Sequence, residues 1–554
     1  MKNDVKHKTA MKNDYTFYAF FTVLIITFFT YYPSTKNDFT TWDDQGYITQ
    51  NPVLGTNSLT DYFTKDRFVM GNYHPITMIS YAIEYSFVGL HPRQYHLDNF
   101  ILHLLNTALV FLLIYLLAGW QIAAFVAVLF GIHPMHVESV AWISERKDVL
   151  YSFFYLASII FYIYYLKNKK KLFYASTFLL FALSLLSKGQ AITLPIALLL
   201  VDYFYQKKFN IKNIYNKIPF LILSLLFGII AIIAQRTEIS IHSHSNAINK
   251  TLVTNYNFFD TIIHFTNLGI QRICFASYGL LAYVYKLFLP INLSCFYPYP
   301  KKVDGILPFL FYLVPIILTG LFILIFIKWR KNKVVVFGSL FFVATVFPVL
   351  QLFPVGSSII SDRYSYIPSI GLFFIIAHVV IYFSGYKIEN GKWVESTFFN
   401  QLFLNRKILF AIVLFSVSLF AYAGNQRCKV WKDSETLYTN VLENYPDVYY
   451  IQYKLGKVYF DKGEYFAHEY QVDSSMSYYK KAILHFSLSI KLNSKFINPW
   501  IGLSLSHQNI GMDDLALAEM DTAINLSPNN ETFINFFNDN SISTKDEKKE
   551  NKLN

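Results

Sequence analysis

An all-α, polytopic membrane protein that ends in a soluble helical domain is the class this sequence predicts, on three observations. Apolar runs long enough to cross a bilayer recur along a chain that is 54% hydrophobic and only 15% charged. The positive excess, 48 Lys and Arg against 36 acids, falls in short clusters between those runs. Retention on the cytoplasmic side explains that pattern and nucleic-acid binding does not. After Gly424 the composition turns polar and takes the periodicity of amphipathic helices. Three cysteines, Cys274, Cys295 and Cys428, make neither a disulfide framework nor a metal spacing.

Lys2, Lys6, Lys8 and Lys12 should keep the amino terminus in the cytoplasm. The run 15–32 lacks a small-residue cleavage site and is expected to remain as the first span. It delivers residues 33–95 to the outside, where 76–88 is too short to span and suits an interfacial helix. Further spans are expected at about 97–118, 121–141, 148–166, 172–187, 190–205, 218–234, 306–327, 334–351, 366–384 and 408–424, making about eleven. The stretch 261–290 is expected to add no crossing, because His264, Gln271 and Arg272 interrupt it. Lys328, Arg330, Lys331 and Lys333 mark an inner loop, as do Lys387, Lys392, Arg406 and Lys407. The tail therefore emerges opposite the amino terminus.

The organisation expected is a membrane domain at 1–424, a helical-repeat domain at 425–540 and a disordered charged end at 541–554. Ile490-Lys491-Leu492-Asn493 and Ile524-Asn525-Leu526-Ser527 lie 34 residues apart, the tetratricopeptide period. Trp500, Gly511, Ala516, Ala523 and Pro528 take the pattern positions of one unit, and Gly456, Tyr459, Gly463, Ala482 and Phe486 those of the other. A 14-residue insertion, expected at the turn between the helices, separates Gly463 from Ala482. Stacked helix pairs leave a concave face suited to an extended acceptor polypeptide.

In this topology the chemically suggestive clusters share one side of the membrane. Asp43 and Asp44 open the first outer loop. His133-Pro134-Met135-His136-Val137-Glu138 runs on to Glu145-Arg146-Lys147-Asp148, and Ser187-Lys188-Gly189-Gln190 and Ser361-Asp362-Arg363-Tyr364 follow. Arg146, Lys147, Lys188 and Arg363 are candidates to surround the phosphate of a lipid. A carboxylate beside them would serve as general base on an acceptor hydroxyl. Asp44 is the nominal choice and Asp43 the alternative, since backbone alternation cannot say which neighbour faces inward. His74, His133, His136 and Glu138 are substrate-site candidates. The last three also carry metal-ligand chemistry, but His-Pro steps recur at His74 and His91, so span punctuation is the preferred account and no metal is predicted.

These motifs carry a family resemblance. The Asp-Asp pair, His133-Pro-Met-His-Val-Glu-Ser-Val-Ala-Trp142 with Arg146-Lys-Asp148, Leu186-Ser-Lys188 before Ile192-Thr-Leu-Pro195, and Asp362-Arg-Tyr364 resemble the transmembrane and tetratricopeptide-repeat O-mannosyltransferases, of the GT-C glycosyltransferase class. The resemblance implies an enzyme moving mannose from a polyprenyl-phosphate donor to Ser or Thr hydroxyls of exported proteins, with an acidic catalytic residue at Asp43 or Asp44. The repeat array is shorter than in animal relatives, and the Lys-, Asn- and Ile-rich composition points to a bacterial member. The expected setting is then an inner membrane with extracytoplasmic repeats, or an endoplasmic-reticulum membrane with luminal repeats in a eukaryote. Two other classes compete: a transporter or flippase of polyprenyl-linked sugars, which would want internal symmetry that the sequence lacks, and a non-enzymatic repeat scaffold, for which the outer charges would be dispensable.

Overall fold

The computed structural model describes residues 2–55, 58–64, 68–206, 214–245, 258–352, 356–384, 386–389, 392–395 and 406–527. The expected charged end at 541–554 and Pro528 lie outside them. The described chain forms two compact units that divide between Asp433 and Ser434.

Helices occupy every stretch expected to span. They are α1 (Lys2–Tyr31), α3 (Pro92–Ala118), α4 (Trp120–Ile132), α5 (Arg146–Asn168), α6 (Lys171–Ser187), α7 (Leu194–Gln206), α8 (Ile218–Ser245), α10 (Phe309–Trp329), α11 (Lys333–Val346), α12 (Ser369–Phe383) and α13 (Arg406–Val430). Between them lie α2 (Pro75–Val88) and α9 (Phe258–Phe288). Among the described residues six helices are long and apolar enough to cross a bilayer, and α4 with the short helix after it, bent by 53°, makes a seventh if taken as one span. Pro134 sits at that bend, where its ring cannot continue the helical ladder. Four shorter apolar helices of 10–17 residues complete the set. A short hairpin, β1 (Tyr386–Glu389) with β2 (Lys392–Glu395), joins α12 to α13.

Lipid takes the place of a protein partner for the outermost helices. No residue of α10 is buried, and its Phe309, Leu310 and Ile327 stand open, as a bilayer-facing helix requires. At the centre, α4 packs against α1, α3 and α12, while α5 lies between α3 and α6. Helices α11 and α12 meet at Gly338 and Gly371, where a Cβ on either would strike the other's carbonyl oxygen. Small residues allow such backbone approach within a membrane.

The region 261–290 falls, up to Phe288, within one continuous helix, α9. Its polar Gln271 reaches the Gly305 carbonyl at 3.1 Å and receives Lys302 at 2.6 Å, so the following loop satisfies it. The membrane unit also runs beyond Gly424. Asn37 Nδ2 donates to the Cys428 carbonyl at 2.9 Å, and Trp431 stacks on Trp142 with centroids 5.4 Å apart. The compositional change thus precedes the structural boundary.

The second unit contains α14 (Ser434–Asn444), α15 (Tyr449–His468), α16 (Val472–Leu492), α17 (Asn498–Asn509) and α18 (Asp513–Leu526). Helices α15 and α16 form one packed pair and α17 and α18 another. Phe486 joins the pairs: a Cβ at Gly456 would meet its ring at 2.8 Å and one at Gly502 at 2.5 Å. The insertion is not a turn, as the sequence had implied. Gly463 lies inside α15, and the extra residues lengthen both members of the pair, to 20 and 21 residues against 12 and 14 in α17 and α18. Apolar periodicity continues through the added turns (Phe460 on Tyr479, Phe466 on Tyr478), so they extend the contact instead of looping out.

Candidate active site

Glu138, Glu145 and Asp148 are brought together by two successive turns, and the helix period decides their company. Glu145 ends a 3-10 turn, and Asp148 follows three residues later in the first turn of α5, so both lie on one face. Arg146 and Lys147, neighbours about 100° apart around the axis, have to diverge.

Lys147 turns to the acids: its Nζ lies 3.1 Å from Glu145 Oε1. Lys188, in the break after α6, reaches Glu145 Oε2 at 3.3 Å and also pairs with Asp148. Arg363, in the turn Asp362–Ser365, pairs with Glu138 through its guanidinium, while its backbone N–H donates to the second Glu138 oxygen at 3.2 Å. Its Nε stands 3.2 Å from Glu145 Oε1 but off the hydrogen-bond direction, so charge holds that contact. Ser139 donates to Asp148 at 3.1 Å. The three acids are 1% exposed at the side chain, whereas Lys147, Lys188 and Arg363 retain 8%, 15% and 16%. Carboxylates form the inner layer and cations the outer. Tyr47, Trp142 and Tyr364 frame the cations, with Lys147 4.6 Å from the Tyr47 centroid and Arg363 4.8 Å from that of Tyr364.

The fourth expected phosphate ligand, Arg146, does not join this row. It is 2% exposed, pairs with Glu84, donates from Nε to Asn99 at 2.9 Å and from a terminal nitrogen to the Tyr95 carbonyl at 3.0 Å, and lies 4.6 Å from the Tyr81 centroid. It cross-links α2, α3 and α5, and its contacts are all with protein. Asp362, adjacent to Arg363 in sequence, is not its partner either. Tyr297 donates to Asp362 at 2.6 Å, and burial pushes that carboxyl up.

The two aspartates separate cleanly. Asp44 is 1% exposed, and both its oxygens are occupied. Oδ2 accepts from Thr40 N at 2.8 Å and Thr40 Oγ1 at 3.0 Å, and Oδ1 accepts from Ser144 N at 3.0 Å and from Ser144 Oγ. Burial raises its pKa, and these hydrogen bonds from Ser144 and Thr40 partly offset the rise. Asp44 thereby pins the outer loop to the turn that carries Glu145. Asp43 is half-buried, and its charge acts on Tyr47. The Tyr47 ring lies against Lys147, so Asp43 flanks the cation row.

His74 caps α2 beside Tyr47, with ring centroids 5.4 Å apart. Burial, reinforced by the Lys147 charge, pushes its pKa down to about 3, and its Nε2 has no hydrogen-bond partner among the described residues. His133 and His136 face inward instead. His133 bonds the Leu287 carbonyl at 3.1 Å and accepts from Met135 N, and His136 bonds the Phe130 carbonyl at 2.8 Å. With Glu138 committed to Arg363, these three do not converge. Among the described residues no group of three or more His, Cys, Asp or Glu side chains is arranged to hold a metal ion.

Sequence reasoning quoted Glu145 and Asp148 only as part of the second cluster. Their spacing of three residues at a helix start was the available signal. The Glu138–Arg363 pair, 225 residues apart, had no local signal.

Fold and site together define an integral membrane protein of many helices, with a layered ion cluster among the turns that join its apolar helices. Comparison with known proteins places it more closely. No family model matches the chain. It is 24% identical over 439 residues to the protein O-mannosyl-transferase F38B6.6 of Caenorhabditis elegans, covering 76% of this chain and 57% of the worm protein. It is 31% identical over 149 residues to human protein O-mannosyl-transferase TMTC2, 26% of this chain and 18% of that one. Identity to human TMTC3 is 23% over 332 residues, 55% of this chain and 35% of the relative. The chain is thus similar to proteins named protein O-mannosyl-transferases, and it spans less than two thirds of the length of each of these three.

Proposed function

We propose that this protein is a membrane glycosyltransferase that moves a sugar, mannose in the first instance, from a polyprenyl-phosphate donor to Ser or Thr hydroxyls of exported proteins. The observation that carries the reading is the layered cluster. Three cations from three segments, Lys188 and Arg363 part-exposed and Lys147 set deeper, stand over buried acids that hold them in place, and a half-buried carboxylate lies alongside. That is an anion site built for a phosphate, with a base at its edge.

Lys147, Lys188 and Arg363 hold the donor phosphate. Asp43 takes the proton of the acceptor hydroxyl, whose oxygen bonds the anomeric carbon. The bond from that carbon to the phosphate oxygen breaks, and its electron pair remains on the lipid phosphate, where the cations stabilise the added charge. Asp44 anchors the loop that carries the base. His74, buried and neutral at working pH, is the substrate-site histidine of this scheme and packs beside the Tyr47 ring at the edge of the cation row. The names of the relatives support the choice of mannose and of a protein acceptor. The helix pairs of the second unit, at the tetratricopeptide spacing, support an acceptor-binding role for the tail, the charge pattern supports an extracytoplasmic tail, and the Lys-, Asn- and Ile-rich composition supports a bacterial inner membrane.

The test is reconstitution of the full chain in liposomes with polyprenyl-phosphate mannose and a Ser/Thr-rich peptide, read by mass spectrometry. Addition of one hexose per modified hydroxyl is expected. No transfer from mannose or any other polyprenyl-phosphate hexose overturns the proposal.

A further inference from the structure

We infer that Glu145 is the positioning residue of the site: one buried carboxylate sets the mutual spacing of the three cations that meet the donor phosphate. The inference rests on the transferase reading above and concerns how its anion site is built. Lys147, Lys188 and Arg363 come from the first turn of α5, the break after α6 and the turn before α12. Their one shared carboxylate is Glu145, at 3.1, 3.3 and 3.2 Å. Its side chain is 1% exposed, behind the cations, so it acts through them and not on substrate.

The other acids do not duplicate this role. Asp148 pairs with Lys188 and Glu138 with Arg363, each in ion-pair contact with a single cation of the three. Removing the charge at 145 leaves both pairs standing and deletes what joins them. Lysine and arginine side chains lose more rotamer freedom than most when fixed. Three of them hold a common geometry only while an opposing charge is shared among them. A phosphate whose ester bond is breaking needs all three in register, whereas a resting phosphate diester can be held by any two. Glu145 therefore governs turnover more than donor binding.

The experiment measures kcat and donor KM for the full chain in liposomes, as wild type, Glu145→Gln and Glu145→Asp. Glu145→Gln should lower kcat about 100-fold, the cost of roughly 1 Å of misplacement, with donor KM near the wild-type value. Glu145→Asp keeps the charge on a side chain one methylene shorter and should recover part of the rate. Wild-type kcat in both variants overturns the inference. So does a loss expressed entirely in donor KM, and so does failure of both variants to accumulate in the membrane, which would make Glu145 a folding residue. Absence of transfer by the wild type overturns the transferase reading instead, so the two failures are told apart.

Discussion

Asp43→Asn and Asp44→Asn should both abolish transfer, for different reasons that one pair of measurements separates. At Asp44 the carboxylate accepts four hydrogen bonds, two on each oxygen, from Thr40 and Ser144. An asparagine offers one acceptor oxygen and turns an NH2 toward the other two donors. Two charge-assisted bonds are lost at about 1.5–3 kcal/mol each, so roughly 3–6 kcal/mol of loop anchoring disappears. Asp44→Asn should therefore lower the thermal unfolding midpoint as it lowers activity. Asp43 is only half-buried, so an uncharged amide in its place disturbs the interior less. Asp43→Asn should leave the midpoint near wild type while kcat falls about 10²–10⁴-fold, the usual contribution of a general base. Fluorescence-monitored unfolding in detergent and mannose transfer in liposomes are the assays. Wild-type kcat for Asp43→Asn, with an inactive but normally stable Asp44→Asn, would exchange the two roles and refute the reasoning.

Three further outcomes are expected. Arg146→Ala leaves Glu84 buried without its partner and should cost about 3–5 kcal/mol in unfolding, whereas Arg146→Met with Glu84→Leu should recover most of it. His74 has a folded pKa of about 3 against about 6.5 when unfolded. The unfolded chain therefore binds the extra proton between those values, and stability falls as pH drops from about 6.5 toward about 3. His74→Asn should make that fall shallower in pH-dependent unfolding. Gly371→Leu drives a side chain into the α11 backbone at Gly338 and should lower the unfolding midpoint by the equivalent of about 1–3 kcal/mol or more.

Much of the membrane unit was legible one residue at a time. Hydropathy located a helix at each expected span, but the one expected at 121–141 is broken at Pro134 by a bend that hydropathy does not register. The candidate site was half legible. Lys147, Lys188 and Arg363 meet as the motifs implied, but Arg146 leaves with Glu84, because the helix period forbids adjacent residues a common face. The same limit left Asp43 and Asp44 indistinguishable by alternation, and only the fold shows that Ser144 bonds Asp44. In the tail, counting positions revealed an insertion, yet only helix packing shows that both helices of the pair are lengthened.

The sequence by itself determined the apolar helices, the charge pattern along them and the stock of ionisable groups near their ends. Those are responses of single segments to lipid and water, and a segment carries its own solvation energy wherever it lies. Tertiary structure alone decided which acid is shared by three cations and which is spent on one, because that depends on the packing of α3, α5, α6 and the turn before α12. Charges buried in a low-dielectric interior must find opposite charges at contact distance, and contact across 225 residues is a property of the fold.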